Sequence, residues 1–327
     1  MGRIAITDGM APDAVLMLEN EGHEAVIKHY SEKELLEGVL MDFDAVIVRS
    51  ATKLNSMIIE KSASEEKGIK IIGRAGVGVD NIDLEAAKNA GVMVYNTPGA
   101  STRSVVELTM GHLISSARMI VHADRSLRGG MWEKSRFLGS EIGGKRLGLI
   151  GFGRIARGVA DVARSMGMEI HAYDPYLDSD SIGNNECVLH ADVDDLFKKC
   201  THISVHCNLT DETRHLVNST RINMMPTVGA DGIECGNHIV SCARGGIVDE
   251  SAAVEALDSG KLTSLALDVF ENEPIKNLEL LTNDGFHGTP HIAASTKEAQ
   301  DRVGKEIAGI LIRYFDGELD ISASLNQ

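Results

Sequence analysis

Short apolar runs alternate with amphipathic stretches along the whole chain. In the first hundred residues the runs at 3–7, 24–28, 45–49, 69–73 and 92–96 predict strands, and the intervals at about 11–20, 31–39, 55–62 and 83–90 predict helices. Continuously apolar strands belong to a sheet covered on both faces, and strand–helix alternation makes such a sheet parallel. Asn96-Thr97-Pro98-Gly99 breaks the rhythm. A long helix is predicted from about 101 to 127, capped by Ser101 or Thr102 and stopped by Gly129-Gly130. A second series of strands follows near 145–150, 169–173, 187–189, 202–206, 238–242 and 264–268. The last helix, about 296–315, puts Val303, Ile307, Ile310 and Leu311 on one face.

The first strand of the second series ends in Gly151-Phe152-Gly153-Arg154-Ile155-Ala156. Gly151 suits a tight turn, Gly153 lets the backbone approach a pyrophosphate, and small Ala156 lets helix and strand pack closely. The opening residues of the helix, Arg154 and Ile155, present N–H groups to the phosphates. Asp174 ends the next strand 23 positions after Gly151, close to the ~20 expected for a carboxylate on the adenosine ribose. A carboxylate there repels a 2′-phosphate, so NAD is the expected cofactor. The expected fold is α/β, two doubly wound parallel-sheet domains. A Rossmann NAD domain (99–291) is inserted into a flavodoxin-like substrate domain (1–98 plus 292–327), with the substrate in the cleft between them.

Composition narrows the partners. The 327 residues carry a net charge of −16, which argues against nucleic acid and anionic membranes. Any anionic substrate then needs a local basic pocket. No apolar stretch is long enough for a bilayer, and the chain enters a strand at once without a signal-peptide layout. Five scattered cysteines with no Cys-x-x-Cys pair read as reduced buried thiols of a cytoplasmic protein, with no metal expected.

Three further blocks look like chemistry: Ser241-Cys242-Ala243-Arg244-Gly245-Gly246, Asp268-Val269-Phe270-Glu271-Asn272-Glu273-Pro274 and Thr289-Pro290-His291. Each follows an apolar strand or closes a loop. Hydride transfer between a nicotinamide and a 2-hydroxy acid needs a guanidinium for the carboxylate. It needs a histidine to exchange the hydroxyl proton, and a carboxylate to orient and charge that histidine. Taken singly, Arg244 also suits a helix end, Glu273 a surface turn, and an arbitrary one of the 12 histidines a structural role. Their joint occurrence after the glycine turn makes Arg244, Glu273 and His291 the catalytic candidates.

These residues, with Val48-Arg49-Ser50-Ala51-Thr52-Lys53, Gly73-Arg74-Ala75-Gly76-Val77-Gly78-Val79-Asp80-Asn81-Ile82-Asp83 and Asn96-Thr97-Pro98, resemble the D-isomer-specific 2-hydroxyacid dehydrogenases over nearly the full length. The resemblance is greatest to members that oxidise 3-phospho-D-glycerate to 3-phosphooxypyruvate with NAD, the entry to serine synthesis. It implies that Arg244 orients the substrate carboxylate, His291 is the acid/base and Glu273 its partner. It maps the nucleotide pocket onto Gly151, Gly153, Arg154, Ile155, Asp174 and Cys207, with Asp268 near the nicotinamide amide. It places the substrate's phosphorylated end against Arg49, Ser50, Arg74, Ala75 and Gly76, beside Lys53. A homodimer through the nucleotide domain is implied, with the long helix and the segment 132–136 as its arm and Arg136 reaching across. Glyoxylate or hydroxypyruvate reduction is the alternative activity. A co-repressor-like NAD-sensing binding protein is the alternative of another class. The chain departs from the family at 226–237, which is longer and richer in glycine than usual, at Met225 in place of a common Lys, and at Asn208 in place of a common Pro. The resemblance also implies that a serine-binding regulatory module, found in longer relatives, is missing here.

Overall fold

The structure is a computed structural model that describes residues 1–63, 67–178, 182 and 187–326. The chain divides into two compact units: residues 1–101 with 294–327, and residues 102–293. The divisions fall a few residues beyond 98/99 and 291/292.

In the first unit the described strands are β1 (Arg3–Ile6), β2 (Glu24–Ile27), β3 (Ala45–Val48), β4 (Ile71–Arg74) and β5 (Met93–Asn96). They form a parallel sheet in the order β2-β1-β3-β4-β5. Strand β3 is buried at every position, as its unbroken apolar run requires. The helices between strands are α1 (Pro12–Asn20), α2 (Glu32–Leu36), α3 (Ser56–Ser62) and α4 (Leu84–Asn89). Helix α2 is shorter than the 31–39 pattern predicts, because Gly38 turns left-handed (φ 89°) and a 3₁₀ turn, Val39–Asp42, takes over. The chain returns to this unit for α12 (Lys297–Phe315), capped where the Thr296 hydroxyl accepts from the Ala299 N–H. Its buried face includes Val303, Ile307, Ile310 and Leu311. Gly73 on β4 allows close contact, since a Cβ there would stand 2.8 Å from Ile307 Cγ1.

The second unit opens with α5 (Thr102–Arg118) and α6 (Ile120–Arg128). These are two helices where the pattern predicts one. Met119 between them adopts φ 52°, in the left-handed region. Methionine is a good helix former, so nothing local announces the break. The sheet that follows contains β6 (Arg146–Ile150), β7 (Glu169–Tyr173), β8 (Val188–Leu189), β9 (His202–Val205), β10 (His238–Ser241), β11 (Ser264–Leu267) and β12 (Phe286–Gly288). Its parallel order is β12-β11-β10-β9-β6-β7-β8. Helix α7 (Arg154–Ser165) covers one face together with α5, and the helices α8 (Val193–Lys199), α9 (Ser219–Ile222), α10 (Glu250–Asp258) and α11 (Leu278–Thr282) contribute to the core on the other. Strand β12 has no counterpart in the sequence pattern, because Phe286-His287-Gly288 holds a single strongly apolar residue and gives no run to read.

The segment 226–237 is a small antiparallel hairpin, bridged at Val228 and Glu234. It precedes β10, at the amino-terminal ends of the strands and away from their carboxyl ends. Asp231 at its tip accepts a 2.6 Å bond from the Lys145 ammonium, which is almost wholly buried just before β6. Met225 joins the core that also holds residues of α8 and α10.

Candidate active site

The glycine turn joins β6 to α7. Gly151 has φ 82°, and a Cβ there would stand 2.9 Å from the Cys207 backbone nitrogen, so only glycine fits. Gly153 has nothing within 4 Å of where its Cβ would be, which leaves the approach to the helix end open. It is also the N-cap of α7, and no side chain caps the helix. The first-turn N–H groups, including those of Arg154 and Ile155, therefore face outward for an anion. Asp174, after β7, accepts a 2.9 Å bond from Phe152 N–H of the turn and a 3.0 Å bond from Tyr176 N–H. Its carboxylate is thereby fixed beside the turn. Cys207, after β9, is half-buried, and burial pushes its thiol up to about 11, so it stays protonated. The residues present fit a dinucleotide bound by its pyrophosphate.

Arg244, Glu273 and His291 lie in loops after β10, β11 and β12, at the carboxyl ends of three neighbouring strands. Glu273 Oε2 lies 2.7 Å from His291 Nδ1. The other carboxylate oxygen of Glu273 accepts from Phe270 N–H at 3.1 Å, which fixes the group toward the ring. The bond to Glu273 and its negative charge raise the pKa of His291, against desolvation and the Arg244 charge. Burial works to raise the pKa of Glu273. The His291 bond and charge, the Phe270 N–H and Arg244 outweigh it and bring the value below the usual carboxylate range. Arg244 thus acts electrostatically on both partners. Its Nη1 also donates to the Ala243 carbonyl at 2.7 Å. Gly245 is required here because a Cβ would strike the Phe270 carbonyl.

His291 itself sits at φ 53°, a left-handed conformation that a residue other than glycine adopts only when its surroundings impose it. Asp268 imposes it. Asp268 is fully buried and accepts bonds from Ile292 N–H (2.8 Å), Ala293 N–H (2.9 Å) and the Thr289 hydroxyl (2.6 Å). This carboxylate, expected from the sequence near the nicotinamide amide, lies under the histidine loop with both oxygens engaged. His112 on α5 stands 3.1 Å from the Thr289 oxygen and completes the brace. Neither Thr289 nor His112 was singled out from the sequence, since their partners are distant in the chain. His215, Asp249 and Glu271 also gather, with ligand atoms within 4.8 Å of one another. Glu271 accepts from Glu250 N–H while its own N–H donates to Glu250, so this cluster ties the 268–274 loop to the start of α10.

In the first unit, Arg49–Thr52 follows β3, and Arg74 is the last residue of β4, with Ala75 and Gly76 after it. The register pairs Val48 with Arg74, so both cation-bearing segments leave the sheet at the carboxyl ends of neighbouring strands. Arg74 donates to the Ala75 carbonyl at 3.1 Å. Gly76 (φ 143°) leaves room for the Arg74 guanidinium, which a Cβ would strike. Arg136 pairs with Glu133 at 3.2 Å and Asp284 at 3.3 Å within its own unit.

Residues 110–293 match the NAD-binding domain of the D-isomer-specific 2-hydroxyacid dehydrogenases. The chain belongs to that family. A D-3-phosphoglycerate dehydrogenase of Methanocaldococcus jannaschii is 44% identical over 98% of this chain and 58% of its own length. The chain thus spans little more than half of that relative. A hydroxypyruvate reductase of Thermotoga maritima is 44% identical over 93% of this chain and 95% of its own length. Among solved structures, an NAD⁺-bound 3-phosphoglycerate dehydrogenase of Entamoeba histolytica superposes with a TM-score of 0.79 at 28% identity, covering 100% of this chain and 99% of the other. The two-sheet α/β fold is the one these dehydrogenases share, and NAD is the cofactor of the matched domain. Among the described residues no helix is long and apolar enough to cross a membrane.

Proposed function

We propose that this protein oxidises 3-phospho-D-glycerate to 3-phosphooxypyruvate, in the direction of serine synthesis. The 2.7 Å Glu273–His291 pair, under the charge of Arg244, is the observation that carries the chemistry. Arg244 holds the substrate carboxylate and so fixes C2 beside the imidazole. The Nε2 of His291, in its neutral form, takes the hydroxyl proton, and Glu273 accepts from Nδ1–H and stabilises the imidazolium that forms. NAD, held by Gly151, Gly153, Arg154, Ile155, Asp174 and the Cys207 backbone, supplies the hydride acceptor. In the reverse direction protonated His291 returns the proton to the forming alkoxide.

The choice of a phosphorylated acid rests on Arg49, Ser50 and Arg74, with Ala75 and Gly76, grouped at the carboxyl ends of β3 and β4 in an acidic protein. The second reading, hydroxypyruvate reduction, is favoured by the Thermotoga maritima relative, which is matched over nearly its whole length. Initial rates with 3-phospho-D-glycerate, D-glycerate, hydroxypyruvate and glyoxylate at fixed cofactor separate the two. A higher kcat/KM for the unphosphorylated pair selects the reductase. NAD binding with no turnover of any of them selects the sensor-like alternative.

The protein is further proposed to work as a cytoplasmic homodimer. Helix α6 buries none of its residues, and Ile120, Leu127, Met131, Trp132 and Leu138 around it are exposed, Trp132 to 85%. A second copy of the chain covers such an apolar arm. A monomer in sedimentation at micromolar concentration refutes this.

A further inference from the structure

The turn that carries Arg49 and Ser50 is gripped from behind. Asp8, the second residue after β1, has a side chain only 5% exposed. Its Oδ2 accepts from Arg49 N–H at 2.7 Å and Thr52 N–H at 3.1 Å, and its Oδ1 accepts from the Thr52 hydroxyl at 2.6 Å. From the other side, Asn81 Nδ2 donates to the carbonyls of Arg49 (2.7 Å) and Thr52 (2.6 Å). Both ends of the turn are therefore pinned through their backbone groups. Ser50 and Ala51, between the pinned ends, are exposed. Their two successive N–H groups have no hydrogen-bond partner among the described residues. Consecutive unpartnered N–H groups beside an arginine suit a phosphate oxygen.

We propose that Asp8, seconded by Asn81, is the positioning residue that preorganises this turn and so gives the site its preference for a phosphorylated acid. The inference rests on the phosphoglycerate reading above. The charge of Asp8 cannot be its contribution, because a carboxylate near an incoming phosphate opposes binding. Its geometry is the contribution: three donors converge on one small group and hold the turn in shape before substrate arrives. His29 approaches Asp8 to 4.0 Å from a largely exposed position and adds no hydrogen bond to the grip.

The charge-free isostere separates shape from charge. Asp8→Asn keeps an oxygen for the two N–H groups, and its amide can donate to the Thr52 oxygen. Asp8→Ala keeps nothing. Steady-state kinetics on 3-phospho-D-glycerate and D-glycerate at saturating NAD should show Asp8→Ala raising KM for the phosphorylated acid by about tenfold, the penalty for ordering a loosened contact on binding. Its KM and kcat for D-glycerate should stay within about twofold, and Asp8→Asn should stay near the parent on both acids. Asn81→Leu should repeat the selective KM effect, and carries the test if Asp8→Ala does not fold. An equal rise on both acids would reduce Asp8 to general support of the fold. An unchanged preference in folded Asp8→Ala would overturn the proposal and leave the phosphoglycerate reading standing. A parent protein that does not prefer the phosphorylated acid removes that reading, and this inference with it.

Discussion

Replacing Glu273 by Gln tests the proton-transfer chemistry while disturbing the structure least. The glutamine oxygen can still accept from His291 Nδ1–H, so the ring keeps its orientation and only the charge is lost. The side chains of His291 and Glu273 are 45% and 40% exposed. A sheltered hydrogen bond to a charged group contributes about 1.5–3 kcal/mol, and an exposed ion pair about 0.2–1 kcal/mol. A half-exposed pair at 2.7 Å falls near the boundary, at about 1 kcal/mol, or roughly fivefold in rate on the alkaline plateau. The sign with pH is definite. Glu273 raises the pKa of His291, so its neutralisation lowers it. Oxidation needs neutral His291, so its rise with pH should begin at lower pH in the variant. Reduction needs the imidazolium, so its decline should also begin at lower pH. The assay is kcat/KM against pH in both directions, monitored at the NADH absorbance. His291→Gln, which removes the base, should lose about 10²–10⁴. An acid limb that stays in place in Glu273→Gln would refute the pairing as the source of the histidine's basicity.

Asp174→Ala removes both the carboxylate proposed to hold the adenosine ribose and the acceptor of the Phe152 N–H. It should raise KM for NAD about tenfold or more and narrow the discrimination against NADP, and unchanged cofactor preference contradicts that role. His287 is buried on β12 with neither ring nitrogen hydrogen-bonded among the described residues, and burial lowers its pKa to about 3. The unfolded chain therefore binds a proton that the folded chain refuses at pH between roughly 6.5 and 3. Its contribution is complete above that window and is lost as pH falls through it, at about 1.4 kcal/mol per pH unit. His287→Leu should flatten the slope of urea-unfolding free energy between pH 6 and 4, and an equal slope defeats the argument. Asp231→Ala strands the buried Lys145 ammonium and should lower Tm more than Lys145→Met, which removes the charge and fills the space; the opposite ranking rejects the hairpin's role as a cover for that lysine.

Much of this architecture is written locally. A strand such as β3, Ala-Val-Ile-Val and buried at every residue, declares itself because a fully covered parallel strand has no polar face to interrupt the apolar run. The turn at Gly151 is equally legible, since its positive φ and its crowding against Cys207 exclude other residue types. Spacing alone placed Asp174 beside that turn, because one helix and one strand separate the two. Arg244, Glu273 and His291 were named from the chemistry and from the family blocks.

What the chain does not announce are contacts between loops that meet only after folding. His291 finds Glu273 across 18 residues, Asp268 grips Ile292 and Ala293 across 24 and 25, and Asp8 grips the Arg49–Thr52 turn from over 40 residues away. The Lys145–Asp231 bond spans 86, and the helix break at Met119 contradicts local propensity. Hydrophobic period reports which face of an element is covered, and no more. The direction of a buried carboxylate depends on which N–H groups the finished fold leaves in need of an acceptor, and that is settled by the paths of the loops, which have no period to read.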